Sequence, residues 1–506
     1  MAIEDQQTSK ILPLLEQIAH YLHSQQSEAY LVGGSVRNLL FHEPCTDWDI
    51  VLSGDVSRQA RDIANLLGGF YAHMHDKARR VVLKRDQSEL VFDFAPLHGS
   101  TLEEDLRQRD FTLNAMAISL DNLLLSLQQQ APLALIDPLS GAEDLQSRTL
   151  RVVNDTVFRQ DALRMLRAIR FRMRYQLTIE PHTASLIQRD AHLLPRAAVE
   201  RIHEELFMIL RPPQAIERLR FLDQQGLLLT LIPELQPALG MPQPSLHYWD
   251  VFDHSLETVA ALEYLADHLL QPASELAQSP LDLQQTGTIV ELQRLLFLAE
   301  EQGIFSFEHI TSPTMKLGAL LHDIGKTSTY AVDDQGTITF YHHPQTGASL
   351  VAQIMTRLGA STQERRLAQQ IAAHHMRPGQ LSQAEITQRA IRRYFVDLGP
   401  AGISVAIVAL ADHLAMRGPQ PLTEHWQRHL NAVLTLLTRY ICERDTILPP
   451  RLLQADELIH RMNLQPGPIV GQLLEAISEA QSEGQIRSKE EALWFAEEFL
   501  QHNNSW

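Results

Sequence analysis

Asp47 and Asp49 stand two residues apart in the apolar run DWDIVL. Side chains along a strand alternate faces, so carboxylates at this spacing point the same way. Two such acids can hold two Mg²⁺ ions, one activating an attacking oxygen and the other neutralising a leaving phosphate. About ten residues upstream lie Gly33, Gly34 and Ser35, followed by Arg37. A turn of small residues lets backbone N–H groups come close to phosphate. An Asp-x-Asp pair alone says little. The order of turn, helix-like RNLLF, polar loop and carboxylate strand is the layout of a nucleotidyl-transfer site.

A third carboxylate is expected nearby, and Asp93 sits centrally in the apolar strand LVFDFAP, where an unpaired charge would be costly. Three roles are open to it: binding metal, activating the attacking hydroxyl, or pairing with a basic residue. In DLRQRDFTLNAMAI, Arg109 can grip phosphate, while Asp110 and Asn114 can orient it or hold a ribose; on composition alone the segment is a helix start with Asp110 as cap. Asp137 precedes a Pro-containing turn and Gly141, a hinge-like joint. From Arg159 to Arg174 there are six Arg and one Asp, opposite in sign to a chain of net charge −18. The segment predicts an Arg-rich helix on which Asp161 and Arg164, three apart, share a face. A donor fork beside an acceptor can read a base edge. Arg167, Arg170 and Arg174 follow at three- and four-residue steps, a stripe suited to triphosphate or RNA backbone.

A second set lies farther along, in HYWDVFDHSLETV, KLGALLHDIGKTSTY, FYHHPQTGA, IAAHHMRP and ALADHLAMRG. His254, His322, Asp323 and Asp412 supply imidazole and carboxylate ligands for a divalent or transition metal. His343 and His374 can hold a second ion, and Lys326 can assist with charge.

The scaffold follows from patterning. Candidate strands AYLVGG, DWDIVL, RRVVLKR, LVFDFAP and NAMAISL alternate with helices between about residues 28 and 150, an α/β domain. Ile11, Leu15, Ile18 and Leu22 recur at helical spacing and predict an amphipathic packing helix over residues 1–27. Beyond 150 the pattern is helical, giving a neck over 151–225, a metal-binding region over 226–425 bounded by the Pro-rich stretch Pro233 to Pro244, and a helical tail over 426–506. The stretch near 269–287 reads as a surface insertion. A chain of 506 residues, 44% hydrophobic and 21% charged, has material for several cores. Two distant cysteines, Cys45 and Cys442, form no disulfide framework and make a reducing cytoplasm the default. No signal-peptide pattern opens the sequence and no apolar run approaches the ~18 residues of a membrane span, so no membrane partner is expected.

GGSVRN, DWD, RDFTLNAMA, the IDP turn and DALRMLRAIRF occur in the order of the class II tRNA nucleotidyltransferase (CCA-adding) and bacterial poly(A) polymerase family, which the chain resembles over roughly residues 28 to 225; ERIHEEL, Glu200 to Leu206, looks like that family's next motif. The resemblance implies an α/β head with a mixed five-stranded sheet, followed by all-α neck, HD and tail domains. By the same resemblance Asp47 and Asp49 hold Mg²⁺, Gly33, Gly34, Ser35 and Arg37 engage phosphate, Arg109 and Asp110 contact the nucleotide, and Asp161 and Arg164 select ATP or CTP. Two positions depart from the family pattern: Gln108 stands where Arg is usual, and Gln160 where Glu is usual. They leave CC-only or A-only addition open. The tail, which carries Ala455 where the family often has Gly, is expected to touch tRNA or complete the HD fold. The second metal set resembles the HD phosphohydrolase superfamily, which implies phosphate-ester hydrolysis by a water activated by Mg, Mn, Ni, Co or Fe. The function expected is template-independent addition of CMP and AMP to the tRNA 3′ end by a monomer or homodimer. A poly(A) polymerase, or an HD phosphohydrolase with an RNA-binding head, is the alternative.

Overall fold

A computed structural model describes residues 5–74, 78–85, 88–129, 131–271, 287–420 and 422–503. The surface insertion expected near 269–287 falls almost wholly on residues 272–286, outside the described residues. The chain forms two compact units, residues 1–198 with 225–227, and residues 199–224 with 228–506.

The first unit runs α1 (Asp5–Ser24), β1 (Ala29–Val32), α2 (Gly34–Phe41), β2 (Asp47–Leu52), α3 (Val56–Leu67), β3 (Phe70–His73), β4 (Arg79–Arg85), β5 (Ser88–Pro96), α4 (Leu102–Arg107), β6 (Ala117–Ser119), α5 (Leu120–Gln129), α6 (Gly141–Gln146), α7 (Val157–Gln160), α8 (Arg164–Tyr175) and α9 (Pro181–Asp190). Six strands, not five, make the mixed sheet, in the order β3-β4-β5-β2-β1-β6. The added strand, FYAH, is a four-residue edge strand paired only with β4. β2 and β5 are parallel, and the other pairs are antiparallel.

Alternation along β2 sends Trp48, Ile50 and Leu52 into the larger core and leaves Asp47 and Asp49 on the opposite face. That core takes Ile11, Leu15, Ile18 and Leu22 from α1, all buried as their spacing predicted. Each such side chain contributes roughly 1.5–3 kcal/mol on burial. The carboxylate face carries a smaller core of Val32, Val51, Leu106, Ala115 and Ala117, which leaves room for polar groups.

The second unit is nearly all helix. The ERIHEEL segment lies in its first helix, Val199–Leu210. Around the histidine-rich motifs stand helices Val251–Leu270, Pro313–Leu321, His343–Arg357, Thr362–His374 and Ala401–Met416. Helix Glu424–Cys442 packs on the last of these, so the fold of this region continues past residue 425. The tail helices Ala455–Met462, Pro468–Ser482 and Lys489–Asn503 close over a core of their own built on Leu458, Leu473 and Ile477. Among the described residues no single helix is long and apolar enough to cross a membrane.

Candidate functional site

The strand register of the first unit places three functional side chains in one row. Asp49 of β2 is the partner of Asp93 in β5, and Asp93 is the partner of Arg80 in β4. Arg80 Nε and Nη2 donate to the two oxygens of Asp93 at 2.8 and 2.7 Å. Asp93 is thus the acid of a bidentate ion pair. Asp47, two residues before Asp49 on the same face, is exposed. Burial, then the charge of Asp93, raise the Asp49 carboxyl to about 6 against the opposing pull of Arg109. An acid pushed up in this way, beside two other acids, asks for a cation. The donor set fits Mg²⁺, which takes oxygen ligands and one or two carboxylates.

The glycine turn explains how α2 reaches these acids. Gly33 has φ +64° and ψ −128°, a conformation that side-chain-bearing residues avoid. A Cβ built on Gly33 would lie 2.8 Å from Arg109 Nη1 and 3.7 Å from Asp49 Oδ2, and one on Gly34 would lie 3.5 Å from Asp49 Oδ2. The first N–H groups of α2, which no helical carbonyl can satisfy, thus open beside the carboxylates. Arg109 is aimed by Asp105, whose Oδ2 accepts from Nε at 3.1 Å and Nη2 at 2.8 Å.

The side chains of Ser35 and Arg37, both expected at the phosphate, bond to neighbouring elements. Ser35 is buried; its hydroxyl donates to the Asp47 carbonyl at 3.0 Å and accepts from the Asp49 N–H at 2.7 Å, fastening α2 to the carboxylate strand. Arg37 is buried too, and its Nη1 donates to Asn114 Oδ1 at 2.6 Å. From there the polar chain continues: Asn114 Nδ2 donates to Asp110 Oδ1 at 2.8 Å, and Arg167 Nε and Nη2 donate to Asp110 Oδ2 at 3.0 and 2.8 Å. Burial pushes the Asp110 carboxyl up, but Arg167 and Asn114 outweigh it and hold it below its ordinary value. The guanidinium groups of Arg37, Arg167 and Arg170 also crowd around the Phe171 ring, within 5.3 Å of its centroid. Asp110 is therefore a buried link between motifs rather than a helix cap; the short 3₁₀ turn Thr112–Asn114 has Phe111 at its N-cap. Asp137 accepts from the N–H groups of Gly141 and Ala142, capping α6.

Asp161 and Arg164 do not share one helix. Asp161 ends α7 with an extended backbone, and its Oδ1 accepts from Leu163 N at 3.0 Å, capping the turn that opens α8 at Arg164. Arg164 Nη1 donates to Gln160 Oε1 at 3.2 Å and Nη2 to the Gln108 carbonyl at 3.1 Å. The two positions that depart from the family pattern thus meet on one guanidinium.

In the second unit, Asp323 stands between two histidine pairs. Its Oδ2 lies 3.3 Å from His322 Nε2 and 3.6 Å from His254 Nε2; its Oδ1 lies 3.3 Å from His343 Nε2 and 3.5 Å from His375 Nε2. Asp412 Oδ1 adds contacts of 3.0 Å to His254 and 3.7 Å to His322. The fourth histidine is His375, in place of the expected His374: His375 is 1% exposed and joins the ligand groups, whereas its neighbour does not. Nδ1 of His322, His343 and His375 each faces a backbone carbonyl three residues earlier, at 2.7, 2.9 and 2.9 Å. A proton on Nδ1 leaves the Nε2 lone pair aimed at the centre. Those three Nε2 atoms and Asp323 Oδ1 are buried without a hydrogen-bond partner among the described residues. Buried acceptors facing one another fit a divalent metal and little else. Burial works against a charged His322, yet Asp323 and Asp412 raise its pKa to about 10, a measure of the negative field at the centre. Lys326 Nζ contacts Asp323 Oδ2 at 2.5 Å and donates to Gln243 Oε1 at 2.7 Å. Gly325 explains the His-Asp-Ile-Gly-Lys sequence: a Cβ there would lie 2.0 Å from the His343 carbonyl oxygen, so only glycine lets this turn meet the helix carrying His343. His247, His413 and His429, which line the same cavity, carried no signal beyond their residue type.

A carboxylate pair on a mixed sheet beside a glycine-opened helix defines a nucleotidyltransferase head, and the histidine–aspartate set defines an HD centre. Residues 29–151 match the family described as "Poly A polymerase head domain", 176–239 match "Probable RNA and SrmB- binding site of polymerase A", and 251–417 match "HD domain". The chain is 31% identical over 483 residues to the A-adding tRNA nucleotidyltransferase of Deinococcus radiodurans, covering 94% of this chain and 96% of that protein. It is 30% identical over 481 residues to the CC-adding tRNA nucleotidyltransferase of Thermus thermophilus, covering 92% and 93%. The Thermotoga maritima CCA-adding enzyme complexed with tRNA has the same fold, with a TM-score of 0.55 at 20% identity over 97% of this chain and 96% of that one. The chain belongs to the tRNA nucleotidyltransferase and poly(A) polymerase family.

Proposed function

We propose that this enzyme transfers CMP and AMP from CTP and ATP to the 3′ end of tRNA without a template, in the cytoplasm. The observation that carries the reading is the co-facing of Asp47 and Asp49 beside the open first turn of α2. The terminal 3′-hydroxyl attacks the α-phosphorus, the bond to the β-phosphate oxygen breaks, and pyrophosphate leaves. Asp47 and Asp49 would hold Mg²⁺, which would supply charge neutralisation and a more acidic attacking hydroxyl. The α2 N–H groups beyond Gly33 and Gly34 receive triphosphate oxygens. Arg109, held by Asp105, meets the same phosphates. Asp93 acts through its charge on Asp49 and its grip on Arg80. Asp161 and Arg164 present acceptor and donor to the base; Arg167, Asp110, Asn114 and Arg37 hold that surface rigid. The Deinococcus radiodurans and Thermus thermophilus relatives are named for adding different nucleotides, so which of CC, A or CCA this enzyme adds rests on its own base-reading surface. Incubating tRNA trimmed of its terminal CCA with CTP alone, ATP alone and both, then sequencing the ends, tests the reading. Incorporation into tRNA, and its loss in Asp47→Ala, is expected; long A tails on an unstructured RNA would instead identify a poly(A) polymerase.

The buried Nε2 atoms around Asp323, without a hydrogen-bond partner among the described residues, favour a second activity, metal-dependent hydrolysis of a nucleotide phosphate ester such as a 2′,3′-cyclic phosphate, at the tRNA end or on a free nucleotide. His254, His322, Asp323, His343, His375 and Asp412 would hold the metal, which supplies a nucleophilic hydroxide from bound water. Chelation should lower the melting temperature of the second unit, and saturating Mn²⁺, Ni²⁺ or Co²⁺ should restore it, since a ligand at a hundred times its Kd stabilises by about 2.7 kcal/mol. A melting curve indifferent to chelator and metal would remove the centre, and with it the activity.

A further inference from the structure

The cavity above the histidine–aspartate centre has a volume of about 800 Å³, enough for a nucleotide. Hydrolysis accounts for its floor and leaves one wall unexplained. That wall comes from helix Glu424–Cys442, beyond the matched HD segment, and carries His425, Arg428 and His429. Arg428 Nη2 lies 2.8 Å from His425 Nδ1 and 3.3 Å from its Nε2, and no carboxylate pairs with this guanidinium among the described residues. His429 is 5% exposed; its Nδ1 lies 3.2 Å from His413 Nδ1, and its Nε2 is buried with no hydrogen-bond partner among the described residues. On the mouth of the same cavity Tyr341 is 75% exposed, an aromatic ring with no packing reason to be there.

A guanidinium without a counter-ion among the described residues, next to an imidazole nitrogen unsatisfied among them, is a receiver for phosphate oxygens. An exposed ring at the entrance is a platform for a base. We propose that the cavity takes a nucleoside with phosphate on both sides of its ribose: the ester to be hydrolysed lies on the metal floor, and the 5′-side phosphate is received by Arg428 and His429. This rests on the hydrolytic reading given above. In the reaction a water oxygen bonds to the phosphorus of the 2′,3′-cyclic ester, one P–O bond to the ribose breaks, and the freed ribose oxygen takes a proton from that water. Arg428 is a binding residue for the phosphate that does not react.

The test compares three substrates on the full-length enzyme with Mg²⁺, Mn²⁺, Ni²⁺ and Co²⁺ in turn: adenosine 2′,3′-cyclic phosphate, the same compound with a 5′-phosphate, and the dinucleotide ending in that cyclic phosphate. The two substrates with a 5′-side phosphate should be used with a kcat/KM about tenfold higher, mainly through KM, as a charge-assisted bidentate contact provides. In Arg428→Ala that preference should collapse, with Arg428→Lys retaining part of it. A dinucleotide used as well as the 5′-phosphorylated mononucleotide marks an RNA end as the source of the phosphate; one used no better than the single-phosphate substrate marks a free nucleotide. Equal use of all three by the unaltered enzyme, or a preference that survives Arg428→Ala, overturns the proposal while leaving hydrolysis standing. No turnover of any substrate with any metal overturns both.

Discussion

Asp49 is held in a state that costs stability, and that cost is the sharpest test of its role. Burial and the neighbouring Asp93 raise its carboxyl from 3.8 to about 6. At roughly 1.4 kcal/mol per pKa unit, keeping it ionised at pH 7 costs at most about 3 kcal/mol relative to the unfolded chain. Between pH 4 and 6 the folded metal-free protein binds more protons at this site than the unfolded chain, so stability falls as pH rises through that window. The penalty is complete above pH 6 and absent below the ordinary value. Asn imitates the neutral acid. Asp49→Asn should therefore raise the melting temperature in EDTA at pH 7 by several degrees, since each kcal/mol moves a unit of this size about 2–4 °C. The gain should fade as the pH is lowered to 4. The same variant should lose nucleotide incorporation and any response of the first unit to Mg²⁺. A structural carboxylate would behave oppositely, losing stability and activity together. A lower melting temperature in Asp49→Asn, or incorporation at the unaltered rate, refutes the reasoning.

Gly33→Ala should cost about 1–3 kcal/mol from the left-handed backbone, and its methyl would meet Arg109, so incorporation should fall more than tenfold with the fold retained by circular dichroism. Gln160→Glu puts a carboxylate where a neutral oxygen now holds Arg164; a surface pair of up to about 1 kcal/mol should sharpen the CTP-to-ATP discrimination two- to fivefold in competition assays. Unchanged discrimination would detach Arg164 from base choice. Asp190, buried between Arg189 and Arg159, has its carboxyl held below the usual range by those two partners. Its contribution should be full above pH 4 and lost progressively as pH falls through the lowered folded value, so Asp190→Asn should destabilise the protein by about 1–3 kcal/mol at pH 7 and by progressively less as the pH is lowered below 4.

Much of the site was legible because it rests on local geometry. Period two put Asp47 and Asp49 on one face, and period 3.6 put α1 into the core. Where packing decides, the sequence was weaker. Adjacent helical residues differ by about 100° in direction, so His374 and His375 are separated only by which face is buried. The stripe Ala368, Ile371, Ala372 and His375, spaced three, four and seven, was the signal that favours the second. The strand FYAH is four residues long and half exposed, without the alternation that marks longer strands. The break between Asp161 and Arg164 lacks Gly or Pro, and only the capping habit of Asp before Ala-Leu-Arg pointed to it. Nothing in the chain order reveals that the Ser35 hydroxyl fastens to the carboxylate strand or that the Arg37 guanidinium meets Asn114.

The six arginines of Arg159–Arg174 pose a related question, since a net charge of −18 argues against broad attraction for RNA. Arg159 reaches Asp190, Arg164 reaches Gln160 and the Gln108 carbonyl, Arg167 reaches Asp110, and Arg174 reaches Glu43 at 3.4 Å. A guanidinium that already holds an acceptor has less charge to offer a distant polyanion, but its direction is fixed. The arginine run therefore acts as a frame. It ties the RDFTLNAMA motif to α8 through Asp110 and leaves the donor fork of Arg164 in a fixed place beside Asp161. Discrimination between cytosine and adenine needs fixed donors and acceptors more than it needs charge, because the two bases differ in the pattern of their edges and not in their phosphates. An acidic protein can thus present a fixed pattern of donors and acceptors, because the positive charge of these arginines is spent on orientation.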